Sequence, residues 1–240
     1  MLITGGGRGI GAATARLAAK QGYRVCVNYR ADERSARELA RQLGHAAVAV
    51  QGDVSIEADV LRLFKEVDRM GVLTVLVNNA GIVDRSSRVE NLSAERIQRM
   101  LAINVTGSFL CAREAVKRMS TRRGGKGGAI VNVSSMAAKF GGAGDYVDYA
   151  ASKGAIDTLT VGLAKEVGPE GIRVNAVRPG VIRTEIHATS GDPTRVERIG
   201  ATAALQRGGD AEEVARAILW LASAEASYIT GALLDVSGGR

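Results

Sequence analysis

The sequence predicts an α/β fold, a single domain on a doubly wound parallel sheet of about seven strands with helices on both faces. Three observations carry that expectation. Short β-branched runs alternate with longer stretches of helical period, the order that βαβ units produce. The strand-like runs are almost continuously hydrophobic, as strands buried on both sides must be. A glycine cluster separates the first such run from the first helical stretch, and an open parallel sheet binds its ligands at such strand ends.

Met1–Thr4 is the expected first strand. A strand so short pairs weakly, which points to a longer native N-terminus or a trimmed start. Gly11–Gln21 follows as a helix. Val25–Tyr29 and Ala47–Gln51 are the next two strands, with helix Ser35–Leu43 between them. Helix Ala58–Met70 leads to the fourth strand, Thr74–Val77, and helix Val105–Met119 to the fifth, Ala129–Val133. Helix Lys153–Val167 connects to the sixth strand, Ile172–Val177, and Leu233–Val236 ends the series. No composition break or internal repeat divides the chain, so residues 1–240 read as one domain with a substrate-loop insertion at about 185–206.

Composition narrows the functional classes. The net charge of +7 invites a nucleic-acid reading, but the basic residues are spread over helix faces, as in Arg62, Lys65 and Arg69. No zinc-finger or basic-leucine pattern accompanies them, so neither a nucleic-acid partner nor a bound metal is expected. Cys26 and Cys111 lie inside apolar runs and read as buried free thiols. Asn91, Asn104 and Asn132 each open an Asn-x-Ser/Thr triplet with no signal peptide ahead of them, which makes the matches coincidental. No apolar run approaches the ~18 residues of a membrane span, and a cytoplasmic location is expected.

The loop Thr4-Gly5-Gly6-Gly7-Arg8-Gly9-Ile10-Gly11 sits between strand and helix. Glycine lets the backbone turn sharply and approach a pyrophosphate, and the helix behind it offers free N–H groups to phosphates. Its spacing differs from G-x-G-x-x-G and resembles the short-chain dehydrogenase/reductase family, which implies a Rossmann fold. Later motifs agree in order. Asp53-Val54 follows the third strand, where the family hydrogen-bonds the adenine amine. Asn78-Asn79-Ala80-Gly81 follows the fourth and resembles the family's cofactor-bordering turn. Pro179-Gly180 with Ile182 and Thr184 follows the sixth and resembles the segment that holds the nicotinamide carboxamide. The resemblance covers essentially the whole chain.

Cofactor choice turns on the 2′-phosphate. Asp32 and Glu33 stand at the distance that would imply NAD, yet they fall on the next helix's first turn, where they answer the helix dipole. Asn28, Tyr29 and Arg30 stand at the strand end itself, with Arg8 in the glycine loop. Two guanidinium groups suit a phosphate dianion, so NADP(H) is preferred and NAD(H) remains possible.

Tyr149 and Lys153 are four apart on one helix face. A phenol of pKa roughly 10 is a poor base near neutrality, and a neighbouring cation lowers that value. By resemblance Tyr149 is the general acid/base of a hydride transfer to a carbonyl, with Lys153 on the nicotinamide ribose and Ser135 on the substrate oxygen. Ser134 is a weaker rival, since Ser135 precedes Tyr149 by fourteen positions, one more than is commonest in the family. Asn104 matches the family's asparagine that completes a proton relay through the lysine and a water. A regulatory or scaffold protein that only senses NADP would be favoured were Asn104, Ser135, Tyr149 or Lys153 missing, and all four are present.

The segment after Thr184 has the small, polar composition of a lid but names no substrate beyond a carbonyl compound or alcohol. Asp145, Tyr146 and Val147 are expected to border the same pocket, and His187 reads as a solvated loop residue. Val105, Phe109, Val116, Ile156, Leu159 and Leu163 exceed what one sheet contact needs. With the family's habit, they imply self-association, as a homotetramer or dimer.

Overall fold

The computed structural model describes residues 1–185 and 194–240. Seven strands form one parallel sheet, β1 (Leu2–Ile3), β2 (Val25–Tyr29), β3 (Ala47–Gln51), β4 (Val75–Asn78), β5 (Gly128–Val133), β6 (Ile172–Pro179) and β9 (Leu233–Val236), in the order β3-β2-β1-β4-β5-β6-β9. Every adjacent pair in it is parallel. Two short strands, β7 (Ile182–Arg183) and β8 (Gly209–Asp210), pair separately. The strand order reverses between β1 and β4, and that is where a doubly wound sheet opens its ligand crevice.

The two-residue period of the strands sorts side chains between two cores. Ile3, Val27, Val77 and Val131 face helices α1 (Gly9–Lys20), α2 (Glu33–Leu43) and α9 (Ala211–Ala222). Leu2, Cys26, Leu76 and Ile130 face α3 (Glu57–Met70), α5 (Gly107–Met119) and α7 (Val147–Val167). Phe64 is fully buried in the second core, where truncation to alanine removes about 3–5 kcal/mol. The two cysteines are free and buried, and burial pushes each thiol up to about 12.

Most strand boundaries fall within a residue or two of expectation. The helices differ more. The first helix starts at Gly9 because the glycine loop supplies its first turn. α7 starts at Val147 and thus contains Tyr149, six residues earlier than the apolar period alone placed it. The helix expected from Val105 is part of one longer run: α4 (Ala94–Leu101), a π-helical segment at Ala102–Thr106, then α5. α9 was not anticipated, although Asp210 and Glu213 form a capping box at its start. Among the described residues no helix is long and apolar enough to cross a membrane.

Candidate active site

A cavity of about 700 Å³ opens at the carboxyl ends of β1, β2, β4, β5 and β6. At its centre the glycine loop and the turn after β4 meet. Gly5 has φ +59°, and a Cβ there would lie 2.9 Å from the Cα of Ala80. Gly11 approaches just as closely, a Cβ reaching 2.7 Å from Asn79 Nδ2, which is helix packing and not cavity lining. Gly5, Gly7, Arg8, Gly9 and Ile10 line the cavity; Gly11 stands behind it.

Thr4 also stands behind the wall. Its Oγ1 accepts the N–H groups of Asn79 and Ala80, both at 3.0 Å, and Asn79 Nδ2 donates to the Thr4 and Gly5 carbonyls, both at 2.9 Å. Thr4 therefore shapes the Asn79–Ala80–Gly81 turn, whose three residues do border the cavity. α1 has no side-chain cap and no acidic residue in its first turn, whereas Asp32 caps α2 through Ser35 N–H at 3.1 Å. The uncapped N–H groups of α1 fit a phosphate group, as the sequence expects of the cofactor.

At the end of β2, Asn28 is occupied internally: Oδ1 accepts Gly5 N–H at 3.2 Å and Nδ2 donates to the Gly52 carbonyl at 2.9 Å. Its role is to tie the glycine loop to β3. Tyr29, Arg30, Asp53 and Val54 line the cavity beside it. Arg30 and Asp53, expected at different parts of a cofactor, lie 3.7 Å apart as an ion pair, with the guanidinium more than half exposed. Asp32 lines this end too, and its carboxyl is held below the usual range, first by the Ser35 backbone and hydroxyl and to a smaller extent by Arg8 and Arg34.

Tyr149, Ser135 and Lys153 share the opposite wall. The Ser135 hydroxyl accepts Ala137 N–H at 3.1 Å, which fixes it on this wall beside Tyr149. Ser134 turns away, its hydroxyl buried and donating to the Lys153 carbonyl at 3.2 Å. Lys153 Nζ donates to the Val133 carbonyl at 2.8 Å and lies 5.7 Å from the Tyr149 ring centroid. The expected depression of Tyr149 by Lys153 is reversed here. Burial pushes the Tyr149 phenol up, opposed by the neighbouring Ser135 hydroxyl, because desolvation penalises the phenolate. Burial likewise pushes the Lys153 amine down to about 8, opposed by Asp157 one turn on.

Asn104 occupies the π-helical segment and is almost fully buried, but does not line the cavity. Its Oδ1 accepts Ile82 N–H at 2.8 Å, and Nδ2 donates to the Ile82 carbonyl and to Ser152 Oγ, both at 3.0 Å. Both polar atoms of its side chain are satisfied within the protein, so its burial leaves no unpaired polar group. It clamps Ile82 beside Gly81, where a Cβ would meet both Asn104 Oδ1 and Lys153 Nζ at 3.4 Å.

Pro179, Gly180, Ile182 and Thr184 border the cavity beyond β6, and Pro179 is anchored when its carbonyl accepts Met136 N–H at 3.0 Å. Asp145 and Tyr146 border the remaining side; Val147 is exposed and does not. Phe140, Arg195 and Arg240 also line the cavity, and no sequence signal singled them out. The expected substrate loop is only partly visible: residues 186–193, His187 among them, lie outside the described residues.

This geometry has relatives. Residues 5–240 match the family model described as Enoyl-(Acyl carrier protein) reductase. The oxidoreductase YgfF of Escherichia coli strain K12 is 57% identical over 243 residues, covering 100% of this chain and 98% of YgfF. The chain belongs to the short-chain dehydrogenase/reductase family. Two solved structures superpose closely on this family member. One is a 3-ketoacyl-(acyl-carrier-protein) reductase from Brucella melitensis complexed with NADH, with TM-score 0.94 and 34% identity over 100% of this chain and 96% of that one. The other is a short chain dehydrogenase from Burkholderia cenocepacia in complex with NADP, with TM-score 0.91 and 32% identity over 99% and 96%. A nicotinamide-dependent dehydrogenase/reductase thus follows from the family, and the sheet, crevice and oxidoreductase class agree with the sequence reading.

Proposed function

We propose that this family member is an NADP-preferring oxidoreductase that interconverts a carbonyl and a secondary alcohol, with Tyr149 as general acid and base. The observation that carries the reading is that Ser135, Tyr149 and the buried amine of Lys153 come together on one cavity wall. The uncapped helix α1, the glycine loop and the Asn79–Gly81 turn would hold the cofactor's phosphates and ribose. Arg8 and Arg30 would take the 2′-phosphate, Asp53 and Val54 the adenine, and Pro179, Gly180, Ile182 and Thr184 the nicotinamide side. When bound, the cofactor supplies or accepts hydride at its nicotinamide C4.

The chain's own residues manage the proton. In the reducing direction, Tyr149 gives its phenolic proton to the oxygen that becomes the alcohol. Ser135 donates a hydrogen bond to that oxygen and steadies its developing negative charge. Lys153, as a cation, stabilises the phenolate that Tyr149 leaves behind. Asn104 acts by position, tying Ile82 to Ser152 on the tyrosine's own helix. Tyr149→Phe tests the whole reading: NADPH binding measured by fluorescence should persist while turnover across a broad carbonyl panel disappears. Unchanged turnover would sink it.

The remaining expectations belong to the same proposal. The segment at about 185–206 would close over bound substrate, and the chain would act in the cytoplasm as one domain of a homotetramer or dimer. Phe109, half exposed on α5, supports a subunit contact there. Ile156 and Leu159 do not, because both are buried within the protomer.

A further inference from the structure

We propose that the substrate of this enzyme is an oxo acid or hydroxy acid, a carbonyl or alcohol bearing a carboxylate, and that Arg195 and Arg240 bind that carboxylate. The inference rests on the oxidoreductase reading above and names the substrate class for the same cavity.

The two arginines stand beside the segments that carry the reactive hydroxyls. Arg195 lies over the ring of Tyr146, 4.7 Å from its centroid, and Tyr146 immediately precedes the helix containing Tyr149. Arg240 lies over Phe140, 5.1 Å from its centroid, at the end of the short helix α6 (Ala137–Phe140) that follows Ser135. Stacking on a ring holds each guanidinium in place before a ligand arrives, which lowers the ordering cost of binding. All four side chains line the cavity.

Among the described side chains, the charges in this part of the cavity do not balance. Asp145 Oδ2 accepts one N–H of Arg195, from Nη1 at 3.1 Å, and its Oδ1 is taken by Ser86 Oγ at 2.7 Å. Glu185 also lines the cavity but belongs to the glycine-loop end, its Oε2 lying 3.6 Å from where a Cβ on Gly9 would be. Among the described side chains no Asp or Glu pairs with Arg240. Burial and the neighbouring charge of Arg195 both push the Arg240 guanidinium down, as expected of two cations brought together without enough counter-charge. A carboxylate fits this demand because a guanidinium presents a planar fork of donors matched to its two oxygens. Met136 and Ile199, also on the wall, offer apolar surface for a spacer between the carboxylate and the reacting carbon.

The test compares each acid with its methyl ester, which keeps the carbon skeleton and removes the charge. Hexanoate and methyl hexanoate are titrated by calorimetry into the full chain saturated with NADPH. Reduction of 5-oxohexanoate and methyl 5-oxohexanoate is followed in parallel at low salt. The wild type should favour the acid by at least about tenfold in Kd and in kcat/KM, the scale of a charge-assisted pair. Arg195→Met and Arg240→Met should each bring the acid-to-ester ratio close to one, with melting temperature and NADPH affinity measured alongside. The wild-type comparison stands alone should either variant fail to fold. Equal handling of acid and ester by the wild type, or a preference that survives both substitutions, overturns the proposal. Failure of the parent reading looks different: no carbonyl in a broad panel is reduced, or reduction survives Tyr149→Phe.

Discussion

Asp148 Oδ1 accepts the backbone N–H of Tyr149 at 2.9 Å, and the same carboxylate is gripped by Arg96 at 2.8 and 3.3 Å. Asp148 is buried, its side chain only 3% exposed, while Arg96 is partly buried and also donates to the Arg85 carbonyl at 2.8 Å. One guanidinium thus joins α4, the loop after β4 and the first turn of α7. Arg96 is a positioning residue for Tyr149. Arg96→Ala would strand a buried carboxylate, so urea unfolding should show a loss of about 3 kcal/mol or more. Turnover should fall chiefly in kcat, since a displaced phenol costs chemistry more than binding. Arg96→Lys should restore part of the stability. A destabilised Arg96→Ala enzyme with unchanged kcat would mean that the pair serves the fold alone.

Arg30 should set cofactor preference at small structural cost. Its pair with Asp53 is 3.7 Å long and mostly solvated, a contact worth at most ~1 kcal/mol, so the guanidinium can leave it for a phosphate. Arg30→Ala is expected to weaken NADPH binding by about tenfold or more while barely altering NADH. Fluorescence titration with both cofactors decides it, and equal loss for the two would remove Arg30 from the 2′-phosphate site.

The two serines after β5 make a sharp pair of controls. Ser135→Ala should lower kcat by roughly 10²–10³-fold, the range for losing one donor to a developing oxyanion. Ser134→Ala should leave turnover nearly intact and cost about 1 kcal/mol, because its hydroxyl only supports the Lys153 carbonyl. The opposite pattern in steady-state rates would transfer the role to Ser134.

What could be read in advance was local in the chain. Tyr149 and Lys153 announce themselves by a four-residue spacing, and the strands by unbroken apolar runs such as Val25–Tyr29. Contacts between distant segments were invisible: Arg96 and Asp148 are 52 residues apart, and nothing in either neighbourhood names the other. The start of α7 was hidden by the glycine-rich approach at Gly141–Gly144, which carries no apolar period. The sign of the Tyr149 shift was also out of reach. Spacing supplies the cation, but burial outweighs it, and burial belongs to the folded chain.

Stability should peak in mild alkali, and Lys153 explains the rising side. Its amine titrates at about 8 in the folded chain against 10.5 when exposed. Below pH 8 both states hold the proton, and the folded state bears the full cost of a buried charge. Between about 8 and 10.5 only the unfolded chain keeps the proton, so stability rises with pH, by about 3 kcal/mol in all. Cys26 and Cys111 act oppositely. Each is pushed from 9.0 to about 12 in the folded chain, so their contribution is intact below pH 9 and is lost as pH climbs from 9 towards 12. Lys153 therefore dominates between pH 8 and 9, and the two thiols win above that. Urea unfolding of the wild type and Lys153→Met, repeated from pH 7 to 10, isolates the lysine. The difference between the two curves should climb at about 1.4 kcal/mol per pH unit once past pH 8. A flat difference would mean that the Lys153 amine keeps its ordinary affinity for the proton despite its burial.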